Sequence, residues 1–237
     1  MITIHASVVL CVRDGFTGKA MTPSALVCSL DGLPIRPIGK EGGYIVLTDL
    51  AAGPHKLTIR CRGYREEPVE FEADGGTREM DVTLKPGAGY PFRQSVTRLR
   101  VRVLEKNAPV AAGRLWLAAG QELKIAQAEA GAGEKELRVY CKGAVQPGAY
   151  LVEDGEKSEV VFLREAGSEK AVLSEPLQNA HDRGKRLLPA QSYHTDDEGT
   201  VTAVFRTSGK VLVFGTEKGL LGSLELIAGD NEAVIEL

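Results

Sequence analysis

Residues 42–64, GGYIVLTDLAAGPHKLTIRCRGY, contain two runs of alternating side chains around a corner of glycine and proline. In the second run, Leu57 and Ile59 alternate with polar residues, which is the period-2 pattern of a half-buried β-strand. Between the runs, Gly53 is free to adopt a positive φ, and Pro54 interrupts the ladder of hydrogen bonds. The stretch therefore predicts a β-hairpin.

Further short strands surround this hairpin. SVVLCVRD and SALVCSLDG lie upstream, EPVEFEA and EMDVTL lie downstream, and turn-rich segments separate them. Six or seven strands at this spacing predict an antiparallel β-sandwich. The composition agrees, because 27 Gly, 11 Pro and only 5% aromatic residues suit strands and turns better than a helical bundle.

The same pattern returns in the second half of the chain. EGGYIVLTDLAAGPHKLTI matches DEGTVTAVFRTSGKVLVFG, so that Gly43 and Gly53 correspond to Gly199 and Gly209. Each half also closes on a similar strand, MDVTL in the first and AVIEL in the second. Matches in register predict an internal repeat. We therefore predict an all-β chain of two tandem β-sandwich domains.

The predicted bounds are residues 1–86 for the first sandwich, 87–94 for a linker and 95–237 for the second sandwich. Glycine and proline near the junction suit a linker. The second half is longer than one sandwich needs, which predicts a β insertion at about 144–190. With few large apolar residues, this insertion is expected to lack a core of its own and to lean on the second sandwich or on a partner.

The first half resembles the carboxypeptidase regulatory-like, or transthyretin-like (prealbumin-like), family of Ig-like β-sandwiches. Its pattern opens with D-x-x-T-G, continues with D-x-x-G-x-Y and a glycine turn, and ends in G-Y. The matching residues are Asp14, Thr17, Gly18, Gly43, Tyr44, Gly53, Gly63 and Tyr64. Glu41 or Lys40 replaces the second Asp of the pattern. The resemblance implies a rigid, non-catalytic accessory module.

A shorter resemblance lies at residues 173–190, LSEPLQNAHDRGKRLLPA. It is similar to the phrase L-x-x-P-L-x-x-A-H-x-x-G of phage-tail and related particle proteins, and it implies a component of such a particle. Within it, His181 and Asp182 are either a ligand pair or part of a tight turn, and the turn is the interpretation we favour.

The sequence contains no H-E-x-x-H, G-x-S-x-G or G-x-x-x-x-G-K-[ST] motif. Its densest cluster of reactive side chains is His194, Asp196, Asp197 and Glu198. These groups could hold a divalent cation or form an acid–base pair, but a solvated turn before a strand uses the same residue types. We predict no enzymatic activity, no cofactor and no metal.

One strand has a row of basic residues. Alternation in VTRLRVRVLE predicts Arg98, Arg100 and Arg102 on one face and apolar residues on the other. The row is a candidate contact for an acidic partner surface; the alternative is an ordinary solvated face with Glu on a neighbouring strand. Nucleic acid is an unfavoured partner, because no aromatic residues interleave the arginines and the net charge is -3.

The alternative function is a carbohydrate-binding β-sandwich module. Such a module needs exposed aromatic side chains, and Trp116 in GRLWLAAG is the candidate, with Tyr90, Tyr140, Tyr150 and Tyr193 as further aromatics. The residues flanking Trp116 have the opposite parity, so the indole is either exposed or packed in a core.

The first residues lack the basic and apolar regions of a signal peptide, and no apolar run approaches the ~20 residues of a membrane helix. We expect cytoplasmic synthesis, four reduced cysteines and no membrane contact. The leading hypothesis is a non-catalytic structural or adaptor protein. It docks onto other proteins, including copies of itself, in a phage-tail-like or cell-surface assembly.

Overall fold

A computed structural model describes residues 5–87, 89–143, 145–167 and 169–237 of the chain. Within these ranges the fold is all-β and contains no α-helix, so the predicted all-β sandwich class is confirmed. Three short 3₁₀ turns occur, at Pro23–Ala25, Glu41–Gly43 and Gly155–Lys157. None of the helical segments described has the length and hydrophobicity that a membrane span requires.

The chain divides into two units, Met1–Gln94 and Ser95–Leu237. The described part of unit 1 contains eight strands, which are β1 (Ala6–Asp14), β2 (Val27–Leu30), β3 (Leu33–Ile35), β4 (Ile38–Lys40), β5 (Tyr44–Thr48), β6 (Gly53–Arg60), β7 (Glu67–Ala73) and β8 (Arg78–Leu84). They form two sheets, with strand orders β4-β5-β1-β8 and β3-β2-β6-β7. In the first sheet β1 runs antiparallel to β5 and parallel to β8.

The two strands of the opening stretch lie in different sheets, so the predicted hairpin is wrong. β5 pairs with β1 and β4, whereas β6 pairs with β2 and β7. The corner before Gly53, whose φ is 131°, carries the chain from one sheet across to the other. The alternation remains, because Ile45 and Leu57 face the same core from opposite sheets. Periodicity gives the buried face of a strand but not the strand with which it pairs.

Among its described residues, unit 2 contains fifteen strands, which are β9 (Thr97–Glu105), β10 (Ala108–Pro109), β11 (Arg114–Ala118), β12 (Leu123–Ile125), β13 (Glu129–Ala130), β14 (Glu136–Tyr140), β15 (Gly148–Glu153), β16 (Glu159–Ala166), β17 (Lys170–Leu173), β18 (His181–Asp182), β19 (Arg186–His194), β20 (Thr200–Phe205), β21 (Gly209–Gly215), β22 (Gly219–Leu226) and β23 (Gly229–Glu236). One sheet has β9 between β20 and β23, with the short β10 beside the end of β9. The other runs β12-β14-β17-β16-β15-β19-β11-β21-β22.

The framework of unit 2 repeats that of unit 1. β9 pairs antiparallel with β20 and parallel with β23, as β1 does with β5 and β8. A Cβ added to Gly43 would lie 2.7 Å from the carbonyl oxygen of Val12, and one added to Gly199 would lie 2.7 Å from that of Val103. Gly53 and Gly209 both have a φ of 131°. The glycines matched in the sequence therefore occupy equivalent positions.

Six strands of the longer sheet close into a barrel, because β12 pairs with β19 as well as with β14. The sandwich part of this sheet ends at the pair of Ala118 and Ala190, so the barrel occupies residues 119–189. Below, this segment is called the insertion barrel. The predicted insertion at about 144–190 is too short, since β12 and β14 have the same period-2 pattern as the sandwich strands and the sequence does not distinguish them.

The expectation that the insertion lacks a core is also wrong. Thirteen buried residues fill the barrel, namely Leu123, Ile125, Ala130, Leu137, Val139, Tyr150, Val152, Val161, Leu163, Ala171, Leu173, Leu177 and Leu187. A separate cluster of buried residues lies between the two sheets of the unit 2 sandwich. Strand β19 belongs to both structures, because its first residues pair with β12 and β15 and its last residues pair with β11.

Candidate interaction surfaces and buried polar clusters

The predicted arginine row lies on β9, the central strand of its sheet. Arg98, Arg100 and Arg102 are exposed, while the alternate side chains Leu99, Val101 and Val103 are fully buried in the sandwich core. The strand is held on both sides, by β20 and by β23. The spacing and direction of the three guanidinium groups are therefore set by a rigid element rather than by a loop.

Acidic side chains partly neutralise this row. Arg98 lies 3.5 Å from Asp230, and Arg100 lies 3.8 Å from Glu198. Arg102 has no carboxylate within ion-pair distance among the described residues. These pairs are solvent-exposed, so each contributes little to stability and remains open to exchange for a partner's carboxylate.

The His194–Glu198 segment forms a turn. Asp196 accepts hydrogen bonds from the backbone N–H groups of Glu198 and Thr200, at 3.0 and 2.8 Å. His194 and Asp197 are exposed. Among the described residues, no group of three or more His, Cys, Asp and Glu side chains is arranged to hold a metal ion. The chemistry that the structure assigns to Asp196 is that of a turn-forming residue.

Trp116 does not offer an exposed surface for a sugar ring. The residue is only 6% exposed and packs in a second apolar cluster of unit 2. Phe162 meets the indole edge to face, with 5.9 Å between ring centroids and 76° between planes, and the Arg114 guanidinium lies 4.9 Å from its centroid. Trp116 is buried because strand β15 of the insertion barrel contributes Leu151 to the same cluster. This burial removes Trp116 as a candidate for glycan binding.

A buried ionic cluster, which the sequence pattern did not predict, lies at one end of the insertion barrel. His181 is fully buried, and its Nδ1 and Nε2 atoms each lie 2.9 Å from a carboxylate oxygen, of Asp154 and Glu159 respectively. Glu159 also accepts the backbone N–H groups of Gln178 and Asn179. Below, His181, Asp154 and Glu159 are called the histidine clamp.

The clamp favours the protonated form of its histidine. Burial lowers the pKa of His181, but the hydrogen bonds to Glu159 and Asp154 outweigh this effect and raise it above its usual value. Burial by itself would raise the pKa of Glu159 and of Asp154. The hydrogen bonds that each carboxylate accepts outweigh this effect, so both pKa values lie below their usual values. Lys185 adds an ion pair to Asp154 at 2.5 Å.

The histidine clamp gives a structural role to the sequence motif at residues 173–190. Leu173 and Leu177 enter the barrel core, and His181 fixes the following turn to β15 and β16 through the two carboxylates. Asp182, which stands next to His181 in sequence, is exposed. The pair of His181 and Asp182 is therefore not a ligand pair. The partners of His181 lie 22 and 27 residues earlier in the chain, which no local pattern reveals.

A second polar cluster gathers the family-like residues of unit 1. Asp14 is buried and accepts hydrogen bonds from the Thr17 hydroxyl and the Tyr90 hydroxyl, both at 2.7 Å. Burial raises the pKa of Asp14, but these bonds and those from the backbone of Phe16 and Thr17 lower it below its usual value. Tyr64 lies against Tyr90, with 5.2 Å between ring centroids.

The predicted linker at 87–94 is not a free spacer. Besides the bond to Asp14, Tyr90 packs against Phe16 and Phe92, at centroid distances of 5.7 and 4.7 Å. The Gly87 N–H donates to the carbonyl of Gly63 at 2.8 Å. Gly87, Tyr90 and Phe92 therefore belong to the packing of unit 1. The Gly and Pro content of the segment led to the prediction of a linker. Its two aromatic residues, Tyr90 and Phe92, are the feature of the sequence that indicated packing instead.

No family model and no curated protein sequence matches the chain. Among solved structures it is similar to the major pilin subunit of Bacillus cereus, at 12% identity and a TM-score of 0.29, covering 99% of each chain. It is also similar to a DUF3823 family protein from Bacteroides ovatus, at 10% identity and a TM-score of 0.28, covering 98% of this chain and 99% of that chain. At these TM-scores we infer neither function nor partners from the likenesses.

Proposed function

We propose that the protein is a non-catalytic structural or adaptor protein that acts by docking onto other proteins of an assembly. The observation that carries the proposal is the arginine row on β9. Three exposed cations stand on the central strand of a sheet, their backbone is fixed on both sides, and buried residues anchor the strand from the opposite face. Such a surface recognises a complementary acidic surface with little ordering cost.

The insertion barrel supports the same proposal. It adds a closed element with its own core to a sandwich framework that unit 1 completes without it. The polar cluster at its end uses both ring nitrogens of the buried histidine for structural hydrogen bonds, which leaves neither of them for proton transfer. An added element with this chemistry is best explained as added surface.

We further propose a kind of fold and of assembly. Several residues that match the family pattern lie together in one cluster, namely Asp14, Thr17, Gly63 and Tyr64. This arrangement supports a transthyretin-like, carboxypeptidase regulatory-like kind of sandwich. The L-x-x-P-L-x-x-A-H-x-x-G phrase supports a phage-tail-like particle as the assembly, with a cell-surface assembly as the alternative.

Recovery of native partners tests the docking function. The tagged full chain is used to capture proteins from the native lysate, and the partners are compared with those of the triple variant Arg98→Glu/Arg100→Glu/Arg102→Glu. Reversal of the row is expected to reduce partner recovery about tenfold or more, because like charges across an interface cost several kcal/mol. The matched control is Arg36→Glu/Lys40→Glu/Arg62→Glu, which reverses three exposed cations of unit 1 that lie outside both the row and the insertion barrel. Unchanged recovery with the triple variant contradicts the proposed role of the row.

A second variant tests the insertion barrel. Residues 119–189 are replaced by Asp-Gly, the two residues that close the equivalent strand pair in unit 1. Trp116→Thr and Phe214→Thr are added, because the replacement would otherwise expose these buried rings. The shortened chain is expected to keep a folded unit 1 and to lose part of its partners. Full recovery of every partner would show that the barrel carries no docking surface.

A further inference from the structure

The outer edge of β20 is open at the place where unit 1 has one more strand. In unit 1, β4 pairs antiparallel with β5, so that Ile38 lies beside Val46 and Lys40 beside Tyr44. In unit 2, β20 pairs with β9 and with no other strand of the described ranges. The chain passes from β19 through the turn at 196–199 directly into β20 and leaves no residues for a covering strand.

The backbone of β20 presents unpaired groups at this edge. The Val103 N–H donates to the carbonyl of Gly199 at 2.8 Å, and hydrogen-bonded pairs alternate along an antiparallel ladder. The N–H and C=O groups of Thr202 and Val204 therefore point away from β9. No described residue bonds to them from that side. An open edge of this kind is a template for a strand from another chain.

The side chains at this edge define what fits there. On the outer face, Thr202 and Val204 stand directly beside Arg100 and Arg98. The acidic residues of β23 lie on the far side of the arginines, and Glu198, in the turn before β20, is the carboxylate that reaches Arg100 from the near side. Three arginines against this one carboxylate leave the face between β9 and the open edge positive. On the inner face, Val201 and other apolar residues continue the sandwich core. The matching strand has acidic residues on its outer face and apolar residues on its inner face.

Strand β7 of unit 1 has this pattern and is itself an edge strand. It pairs with β6 only, within the described ranges. Its outer face has the exposed residues Glu70 and Glu72, and its inner face has Val69, Phe71 and Ala73, all buried. Its open edge is also unpaired. Lys56 lies opposite Glu70 on β6, but both of its backbone groups form hydrogen bonds with Asp31 on the other side of β6. The backbone N–H and C=O groups of Glu70 therefore point away from β6, toward the open edge.

We propose that β7 of one copy of the chain pairs antiparallel with β20 of a second copy. The proposal rests on the docking function above and names a second copy of the chain as the partner. With Glu72 opposite Thr202 and Glu70 opposite Val204, the inner-face residues of the two strands are apolar throughout. Each glutamate then lies two strands, roughly 9–10 Å, from an arginine, a span that the two long side chains bridge over a Thr or Val.

Strand β8 is the other acidic edge of unit 1, and it fits less well. Its outer-face residues include Glu79 and Asp81, but Arg13 lies 3.9 Å from Asp81 and Arg78 begins the strand. These cations would face the arginines of β9. Strand β7 itself has no basic residue, although Lys56 of the adjacent β6 lies 3.2 Å from Glu70. Each acidic edge therefore has a cation on the adjacent strand, and Arg78 is the further cation that β8 itself adds. Pairing of unit 1 with unit 2 of the next copy is heterologous, so it extends head to tail instead of stopping at a dimer.

Sedimentation velocity of the purified full chain tests the proposal. The wild type is expected to exceed its monomer mass of 25.4 kDa increasingly with concentration, and added salt is expected to reduce this association. Arg98→Glu/Arg100→Glu and Glu70→Arg/Glu72→Arg are each expected to weaken it roughly tenfold or more. An equimolar mixture of these two variants restores the opposite charges across the interface and is expected to associate like the wild type.

Two controls separate edge pairing from other contacts. Thr202→Pro removes an N–H that points to the open edge and is expected to abolish association, whereas Thr202→Ala is expected to leave it unchanged. Reversal of the β8 residues, Glu79→Arg/Asp81→Arg, is also expected to leave it unchanged. Circular dichroism and thermal unfolding establish that each variant is folded.

Three outcomes overturn the proposal. The first is a wild type that stays monomeric over the whole concentration series. The second is a mixture of the two charge-reversed variants that fails to associate. The third is a β8 reversal that weakens association as much as the reversal of Glu70 and Glu72 does. None of them touches the docking function itself, which is measured separately by partner recovery from lysate. Loss of partner recovery in the arginine variants with no self-association would retain that function and reject the second copy as the partner.

Discussion

The two sandwiches differ most at one pair of neighbouring strands. In unit 1, β2 and β3 are joined by Asp31 and Gly32, which have φ values of 50° and 81° and form a tight turn. In unit 2, the corresponding strands β11 and β19 separate after the pair of Ala118 and Ala190, and the insertion barrel lies between them. A large element has entered where its two ends lie opposite each other, so the host sandwich is not distorted.

Each unit also has a histidine that uses both ring nitrogens. His55 lies 2.7 Å from Asp31 and 2.8 Å from the carbonyl of Ala51, so it holds the tight turn of unit 1. His181 lies between two carboxylates and holds the end of the insertion barrel. The first histidine is near the surface and the second is fully buried. The same device therefore has a larger structural effect in unit 2.

The largest expected effect distinguishes these two histidines. His181→Ala leaves Glu159 as a buried carboxylate without its cation, whereas Asp154 keeps its ion pair with Lys185, and is expected to destabilise the insertion barrel by about 3–5 kcal/mol. His55→Ala is expected to have a much smaller effect, because Asp31 is accessible to water. Hydrogen exchange resolved by segment measures both. Equal loss of protection in the two variants would contradict the difference between the units.

The next effect tests what the units share. Gly43→Ala and Gly199→Ala are each expected to cost about 2–4 kcal/mol, since the new Cβ would approach a carbonyl oxygen to 2.7 Å at a positive φ. Gly53→Ala and Gly209→Ala are the matched controls. Open space surrounds these two positions, so only the backbone strain remains. Urea unfolding measures all four, and a cost at Gly43 without one at Gly199 would contradict the repeat.

The pH dependence of stability sharpens the comparison further. The pKa of His181 is raised, so its contribution is complete below its unfolded pKa of about 6.5 and is lost as the pH rises through the folded value. The pKa values of Asp154 and Glu159 are lowered, so their contribution is lost as the pH falls through those values. The barrel is therefore expected to be most stable between these limits. Urea midpoints across pH measure this, and an unchanged alkaline limb in His181→Gln would contradict it.

The smallest expected effect concerns the segment at 87–94. Tyr90→Phe removes the hydrogen bond to Asp14 and keeps the ring contacts, so it is expected to cost about 1–2 kcal/mol in unit 1. Tyr44→Phe, on an exposed tyrosine, is the control and is expected to change little. Thermal unfolding compares them. No loss of stability in Tyr90→Phe would mean that the segment does not contribute to unit 1.

Local patterns were enough to predict which faces of the strands are buried. The inward residues of β9 and the exposed arginines between them follow directly from alternation, and the paired glycines follow from spacing. Partners distant in sequence were not predictable in this way. The barrel closes through the pairing of β12 with β19, and His181 meets Asp154 and Glu159, through contacts that leave no local period. Trp116 was undecidable for the same reason, because a distant strand covers it.

The continuity of β19 has a consequence for the order of folding. Pairing of β11 with β19 in an otherwise unfolded chain would close a loop of residues 119–189, at an entropic cost roughly 3 kcal/mol above that of the two-residue turn in unit 1. Prior closure of the barrel removes this cost, because it brings residues 119 and 189 together. Unit 2 is therefore expected to fold from its insertion outward, with a slower and more cooperative refolding phase than unit 1.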